Sequence, residues 1–234
     1  MRKSTVQIVR ELVSKMKFPF KIKSVTDHGN GTYTLITGNT HYLHKGSNTV
    51  FVIAGNDYEI LEVVINTSVK VKGSVIPVAS TFNLPSPKFF HGTIKQTNAE
   101  LGEELDMANK CPMVYLLRPL SQTVDALDLN DPLVEREAEL TLFFLTEADF
   151  GWAYTDDFDH NALDPMWSMA NTFIDTVRKD DGIDKIGTYR IDEKIKFANY
   201  NINGSDKILF KDNLSGQELN ITLPIRSSCC DIDC

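Results

Sequence analysis

Apolar residues near the start of the chain recur at helical spacing. They fall three or four positions apart and would line one face of a helix: Val6, Val9, Leu12, Val13 and Met16. Ser4 and Gln7 stand in front of them in the capping-box pattern. The helix should end before Phe18-Pro19, because a residue that precedes proline is pushed out of the helical conformation.

A second amphipathic helix is predicted from Asp164. Asp164 suits the N-cap position and Pro165 suits the first helical position. The apolar residues that follow share one face, which we expect to be buried: Met166, Trp167, Ala170, Phe173, Ile174 and Val177. Residues 179–182, Lys-Asp-Asp-Gly, end this helix.

Two apolar runs before this helix, residues 112–117 and 137–146, predict core strands. Further strands are predicted after it at residues 189–200, 208–210 and 218–225. The last strand alternates apolar and polar residues, as expected where one face is buried. Its apolar positions are Leu219, Ile221, Leu223 and Ile225.

Between residues 20 and 77 the pattern changes to short strands separated by turn residues. The predicted strands are residues 20–25, 32–37, 49–53, 58–64 and 68–71. The glycines and asparagines between them supply the positive φ angles that tight hairpins need. Regular short strands with no helix between them predict a small all-β barrel or sandwich.

These patterns together predict an α+β fold, a mostly antiparallel sheet flanked by helices, with an inserted all-β module. The α+β domain would be discontinuous, comprising residues 1–19 and 88–226. Residues 20–77 would form the inserted module, and residues 78–87, rich in proline, an extended connector. Residues 227–234 form a cysteine-rich tail.

Composition limits the function classes. The chain has 234 residues, a net charge of −8 and a pI near 5.1. This charge argues against a protein that grips nucleic acid or a membrane surface, because both need basic patches. No apolar run reaches the ~18 residues of a membrane span, so we expect a folded, soluble protein.

The four cysteines are unevenly placed. Cys111 stands alone before a predicted strand, whereas Cys229, Cys230 and Cys234 crowd the C-terminus. No secretory signal pattern precedes the fold, so we expect thiols in a reducing compartment. The tail cysteines could pair or bind a metal, but they lack the Cys-x2-Cys spacing of zinc sites, which favours an incidental role.

Two other groups of residues could suggest a metal site. His41 and His44 lie three positions apart, which in a strand places them on opposite faces. The acidic residues 156–159 lack the central glycine and closing glutamate of a calcium-binding loop. We therefore predict neither a metal nor a cofactor.

Aromatic residues are concentrated in the loop before the second helix. Trp152, Tyr154 and Phe158 either cover the core as a lid or form a contact surface, since Trp and Tyr are common at interface hot spots. The residues alone do not decide between the two interpretations. If they form a contact surface, they are the candidate subunit-contact residues.

The sequence carries no recognisable catalytic motif. The phosphate-binding loop, the Gly-x-Gly-x-x-Gly fingerprint, the Gly-x-Ser-x-Gly elbow and His-Glu-x-x-His are all missing. Residues 214–216, Leu-Ser-Gly, lack the first glycine of the elbow. The protein is therefore not predicted to be an enzyme.

Four short segments resemble the tail-terminator and neck proteins of tailed bacteriophages, most closely those of phages that infect Bacteroidetes, including the crAss-like group. They are residues 111–117 (CPMVYLL), 140–145 (LTLFFL), 170–173 (ANTF) and 214–216 (LSG). An insertion like residues 20–77, followed by a segment like residues 87–93, also occurs in such proteins. The resemblance extends from Met1 to about residue 225 and leaves out the cysteine tail.

The resemblance implies a structural subunit of the virion, assembled in the host cytoplasm. Such subunits close into rings that join the portal to the tail and line the channel through which genomic DNA passes. Its partners would be further copies of itself, in twelve-fold or six-fold symmetry, and the adjacent neck, portal and tail proteins. The alternative is a glycan-binding or host-binding decoration protein that uses Tyr33, Tyr42 and Tyr58 of the β module.

Overall fold

The computed structural model shows a mixed α+β fold with mostly antiparallel sheets. It describes residues 3–38, 40, 43, 50–53, 55–64, 67–78, 80–84, 86–93, 111–117, 120–124, 134–148, 159–195, 197, 199–202, 205–208 and 214–227. Within these residues the helical elements are α1 (Thr5–Lys15), a π-helical turn (Asp159–Leu163) and α2 (Asp164–Arg178).

The strands β1 to β15, in chain order, are Phe18–Lys21, Ser24–Asp27, Thr32–Ile36, Val50–Ile53, Asn56–Val64, Ser68–Gly73, Thr81–Leu84, Lys88–Gly92, Met113–Leu117, Ser121–Val124, Val134–Glu147, Tyr189–Lys194, Asn199–Ile202, Ser205–Ile208 and Leu214–Ser227. They form a six-stranded main sheet, a five-stranded sheet and two pairs.

The main sheet is built on the pairing of β11 with β15. Each strand has 14 residues, and they pair antiparallel from Val134↔Ser227 to Glu147↔Leu214. The strand order is β12-β15-β11-β9-β8, with β10 added to β11. Only the pairing of β8 with β9 is parallel among the strands described for this sheet. The apolar runs predicted as core strands are confirmed.

Alternate residues of β11 point to opposite faces of the main sheet and enter separate apolar clusters. Leu142 and Phe144 belong to the larger cluster, together with the buried face of α2. Phe143 and Leu145 belong to a smaller cluster, where Phe143 stacks on Tyr115 with ring centroids 5.8 Å apart. The sheet is therefore buried on both faces where these clusters lie.

Helix α1 follows its sequence pattern closely. Ser4 Oγ accepts from Gln7 N–H, and Gln7 Oε1 accepts from Ser4 N–H, so the predicted capping box is confirmed. All five apolar residues of the predicted face are buried. The helix packs on α2 and on β8.

Two polar contacts hold the C-terminal end of α1 in place. At its C-terminal end the Ser86 hydroxyl lies 3.3 Å from the carbonyl oxygens of Ser14 and Met16, a position from which it can donate to either. Lys15 Nζ contacts Asp180 Oδ2 at 2.6 Å, and this hydrogen bond raises the pKa of Lys15 above its ordinary value. An exposed pair of this kind contributes at most about 1 kcal/mol, so it orients the helix more than it stabilises the fold.

Helix α2 differs from its prediction in two details. Asp164 is the first helical residue and not the cap; the N-cap position falls on Leu163, because the preceding π-helical turn continues directly into the helix. Trp167 is 54% exposed and not buried. It lies about 100° round the helix from Met166, outside the buried stripe. That stripe comprises Pro165, Met166, Met169, Ala170, Phe173, Ile174 and Val177.

Strands β1 and β7 lie side by side where the chain enters and leaves the five-stranded sheet. They pair from Phe18↔Leu84 to Lys21↔Thr81. The predicted strand 20–25 is therefore wrong as one unit: its first residues belong to β1, and β2 starts at Ser24. Strand β7 lies within the segment predicted as a connector. The division into domains stays a prediction.

The five-stranded sheet has the order β2-β3-β6-β5-β4 and is antiparallel throughout. In β3 the alternation is confirmed, since Tyr33 and Leu35 are buried while Thr32, Thr34 and Ile36 are partly exposed. The buried residues join the same cluster as Phe18 and Phe20 of β1. Closure of this sheet into a barrel or sandwich stays a prediction.

The last part of the chain contains a hairpin that was not predicted. Strands β13 and β14 pair from Asn199↔Ile208 to Ile202↔Ser205, and Asn203-Gly204 separates them in sequence. An Asn-Gly pair between two short strands is the strongest local hairpin signal, so it could have been found. The predicted strand 189–200 is correspondingly divided between β12 and β13.

A buried hydroxyl in α1 lacks a hydrogen bond, and removing it should stabilise the fold. Thr5 is 2% exposed and its Oγ1 has no partner. An unsatisfied buried polar group costs roughly 1–3 kcal/mol, so we expect Thr5→Val to raise the thermal midpoint. Thr176→Val is the matched control, because the Thr176 hydroxyl donates to Thr172 O at 2.8 Å. A lower midpoint for Thr5→Val would contradict this account.

The five-stranded sheet also contains a glycine that a neighbouring ring covers. Gly73 pairs with Tyr58, and a Cβ at Gly73 would lie 2.3 Å from Tyr58 Cδ1. We expect Gly73→Ala to cost about 1–3 kcal/mol, as overpacking does, measured by denaturant unfolding. Gly187→Ala is the control, because its Cβ would meet open space. Equal stability of the two variants would show that the Tyr58 ring moves away from the added methyl group at no cost in the free energy of unfolding.

Candidate interaction surfaces

The face of the main sheet opposite the helices becomes polar beyond its apolar cluster. Three side chains form a hydrogen-bonded chain there: Thr141 Oγ1 donates to Asn220 Oδ1 at 2.9 Å, and Asn220 Nδ2 donates to Glu218 Oε1 at 2.7 Å. Glu218 also binds Lys194 Nζ at 2.7 Å. This chain of contacts crosses β11, β15 and β12, and we call this region the polar face.

The polar face carries uncompensated negative charge among the residues described there. Arg190 is paired with Asp192 at 2.8 Å, and Lys194 is paired with Glu218. Glu137 and Glu139 of β11 are exposed, alternate along the same face and take part in no ion pair. Arg226 lies on the same face of β15 by alternation and is paired with Asp184 at 2.8 Å. The described cations of this face are thus neutralised, and the two glutamates leave the face acidic.

The open face of the five-stranded sheet is more evenly charged. Lys72 pairs with Glu59, and Lys70 pairs with Glu62, across β5 and β6. Opposite charges directly across a sheet stabilise it modestly. This face therefore has no net charge from these four residues.

Among the exposed apolar side chains, two groups could form a contact surface. Val75, Ile76 and Val78 are 46%, 55% and 66% exposed in the segment that follows β6. Trp167 projects from α2, where its carbonyl oxygen accepts from Asn171 Nδ2 at 2.8 Å. An exposed tryptophan on a regular helix is a feature of contact surfaces.

The predicted contact residues Trp152, Tyr154 and Phe158 lie outside the described residues. In sequence they lie between β11 and the π-helical turn Asp159–Leu163. Their assignment to a subunit contact stays a prediction. The sequence pattern placed Trp167 in the core, whereas the structure shows that its side chain is exposed. Trp167 is thus an exposed aromatic residue that follows this segment in sequence.

Two tyrosines assigned to a glycan site are buried. Tyr33 is 5% exposed and Tyr58 is 1% exposed, while Tyr42 lies outside the described residues. A sugar stacks on an exposed aromatic face, so neither Tyr33 nor Tyr58 can serve as that face. The assignment of these two residues was wrong, because each lies on the face of its strand that meets the core.

The residues proposed for or against a metal are largely outside the described part of the chain. This is true of His41, His44 and the three C-terminal cysteines Cys229, Cys230 and Cys234. Cys111 is buried and not in a disulfide. Among the residues that the structure describes, no group of three or more His, Cys, Asp or Glu side chains could hold a metal ion.

Within the described ranges no helix is both long enough and apolar enough to cross a membrane.

The structure also shows a raised pKa for one phenol. Burial, with a smaller contribution from Tyr33, raises the pKa of Tyr58 above its ordinary value. This effect belongs to the packing of the five-stranded sheet and not to a reactive site.

The raised pKa of Tyr58 predicts a loss of stability at high pH. Above the ordinary tyrosine pKa of about 10, the unfolded chain releases this proton while the folded chain keeps it, so stability falls as pH rises. We expect Tyr58→Phe to lose less stability than the parent protein across this alkaline range in denaturant unfolding. Deprotonation of Lys15 affects both proteins alike and cancels in the comparison. Parallel pH curves would contradict this prediction.

No protein-family model matches the chain, and no curated protein or solved structure matches it either.

Proposed function

We propose that the protein is a structural subunit of a phage virion ring, a neck or tail-terminator component that joins portal to tail and surrounds the DNA channel. The proposal rests on the resemblance of four short segments. Its supporting observation is that these segments, distant in sequence, pack together as one unit. The tail-terminator fold is part of the proposal.

Three of the segments are neighbours in the main sheet. Leu142 pairs with Leu116, which joins the second segment to the first. Leu145 pairs with Gly216, which joins the second to the fourth. Phe173 of the remaining segment packs on Phe144, with ring centroids 5.9 Å apart. The resemblance therefore concerns one packed unit of the molecule, as expected of segments that specify a shared fold.

The polar face suits a surface that borders DNA without binding it. Glu137 and Glu139 leave it acidic, while its described cations are held in ion pairs. Affinity for a phosphate backbone comes from free cations that displace counterions. A channel wall of this charge would let DNA pass, so we assign the polar face to the channel.

Contacts between subunits would use a different surface. Ring closure needs two unlike patches that meet head to tail. Trp167 lies at the edge of the buried stripe of α2 and is 54% exposed, so its ring can meet a neighbouring subunit. We assign it to the subunit contact together with Trp152, Tyr154 and Phe158.

The assembly state of the purified protein tests the proposal. We expect a closed oligomer by light scattering and native mass spectrometry, and binding to isolated neck or portal assemblies. Trp167→Ala should weaken assembly, whereas Asp175→Ala on the same helix, with a side chain 62% exposed, should not. A strict monomer that also fails to join neck or portal assemblies would overturn the proposal.

Fluorescence gives a second measurement of the same contact. The chain has two tryptophans, Trp152 and Trp167, so Trp152→Phe leaves Trp167 as the reporter. We expect its emission to shift to shorter wavelength on assembly, because the ring leaves water. An oligomer whose Trp167 emission stays that of an exposed indole would place the contact elsewhere.

A further inference from the structure

The hairpin between β2 and β3 ends in a tight turn with an Asn-Gly pair at its centre. Thr32 N–H donates to Gly29 O at 3.1 Å and closes the turn. The central residues Asn30 and Gly31 have φ angles of 55° and 70°. Two positive φ angles identify a type I′ turn, for which Asn-Gly is a preferred pair.

This turn leaves the two groups needed for an intramolecular reaction without hydrogen bonds. The one bond that closes it uses the N–H of Thr32 and not that of Gly31, for which the described residues supply no acceptor. Asn30 is exposed, and its side-chain amide makes no hydrogen bond with the described part of the chain. Gly31 has no Cβ to shield its nitrogen.

We propose that Asn30 is a site of spontaneous deamidation. The backbone nitrogen of Gly31 loses its proton and attacks the side-chain carbonyl carbon of Asn30. A new C–N bond closes a five-membered succinimide, and the amide NH2 leaves with that proton as ammonia. Water then opens the ring at one of its two carbonyls and yields aspartate or isoaspartate, with no change of oxidation state.

The two products have different consequences for the hairpin. Aspartate tolerates the positive φ of this position. It adds a negative charge to a hairpin that already contains Asp27, whose Oδ1 accepts from Gly29 N–H at 2.7 Å. Isoaspartate inserts a methylene group into the main chain. The inserted group should displace Gly31, whose carbonyl oxygen accepts from Gly73 N–H at 2.9 Å. The isoaspartate form should therefore weaken the contact between the end of this hairpin and β6.

Asn171 provides a comparison within the same molecule. It lies in α2, is followed by Thr172, and its amide donates to Trp167 O at 2.8 Å. The helix holds the next backbone nitrogen in its own hydrogen bonding, and a β-branched residue crowds it. We therefore expect Asn171 to stay intact while Asn30 converts.

The test is incubation of the full-length protein in mildly alkaline buffer, followed by tryptic digestion and mass spectrometry. Fragmentation of the peptide 24–45 separates Asn30 from Asn39 and distinguishes isoaspartate from aspartate. We expect conversion at Asn30, with none at Asn171, and no conversion at position 30 in the Asn30→Gly variant, which keeps the positive φ. Incubation of the same protein in denaturant gives the rate of deamidation in the unfolded chain.

Two results would overturn the proposal. One is an intact Asn30 in the folded protein after the denatured chain has converted, since the turn would then protect the residue. The other is conversion confined to Asn39. Circular dichroism before digestion confirms that the incubated protein is folded.

Discussion

The main sheet depends on the long pairing of β11 with β15, and one glycine permits the two strands to approach as they do. A Cβ at Gly216 would lie 1.9 Å from Phe144 O, so no other residue fits there without a shift of the backbone. The pairing joins segments that are far apart in sequence, which is entropically costly until the contacts on both sides form. Helix α2 packs on both strands, while β9 and β12 add to their outer edges.

The register of this pairing also decides which residues lie on which face. Because side chains alternate along a strand, a slip of one residue would exchange the apolar face under α2 with the polar face. Leu219, Ile221, Leu223 and Ile225 would then meet water, and Glu218 and Asn220 would be buried. The acidic character of the polar face is thus a consequence of the same register that builds the core.

The local patterns of the sequence were sufficient for the elements whose signals lie within a few residues. The capping box of Ser4 and the alternation in β15 needed no knowledge of distant contacts. The π-helical turn before α2 had no such local signal, and it moved the N-cap position to Leu163. The exposure of Trp167 has a separate cause, since Trp167 lies just outside the buried stripe of the helix. The pairing of β1 with β7 also has no local signal, because it joins two segments that precede and follow the whole five-stranded sheet in sequence.

The burial of Tyr33 and Tyr58 was within reach of the sequence, because the alternation that predicts β3 places Tyr33 on the same face as Leu35. Tyr58 shares a face with Ile60 by the same rule. Composition had suggested a sugar site because tyrosines are common there, whereas periodicity already favoured the core. The glycine opposite Tyr58 strengthens that argument: Gly73 has no side chain, and the tyrosine ring lies over the space that a Cβ would fill. The ring of Tyr58 is therefore fixed by its packing over Gly73. A tyrosine that binds a ligand at the surface would not require this packing.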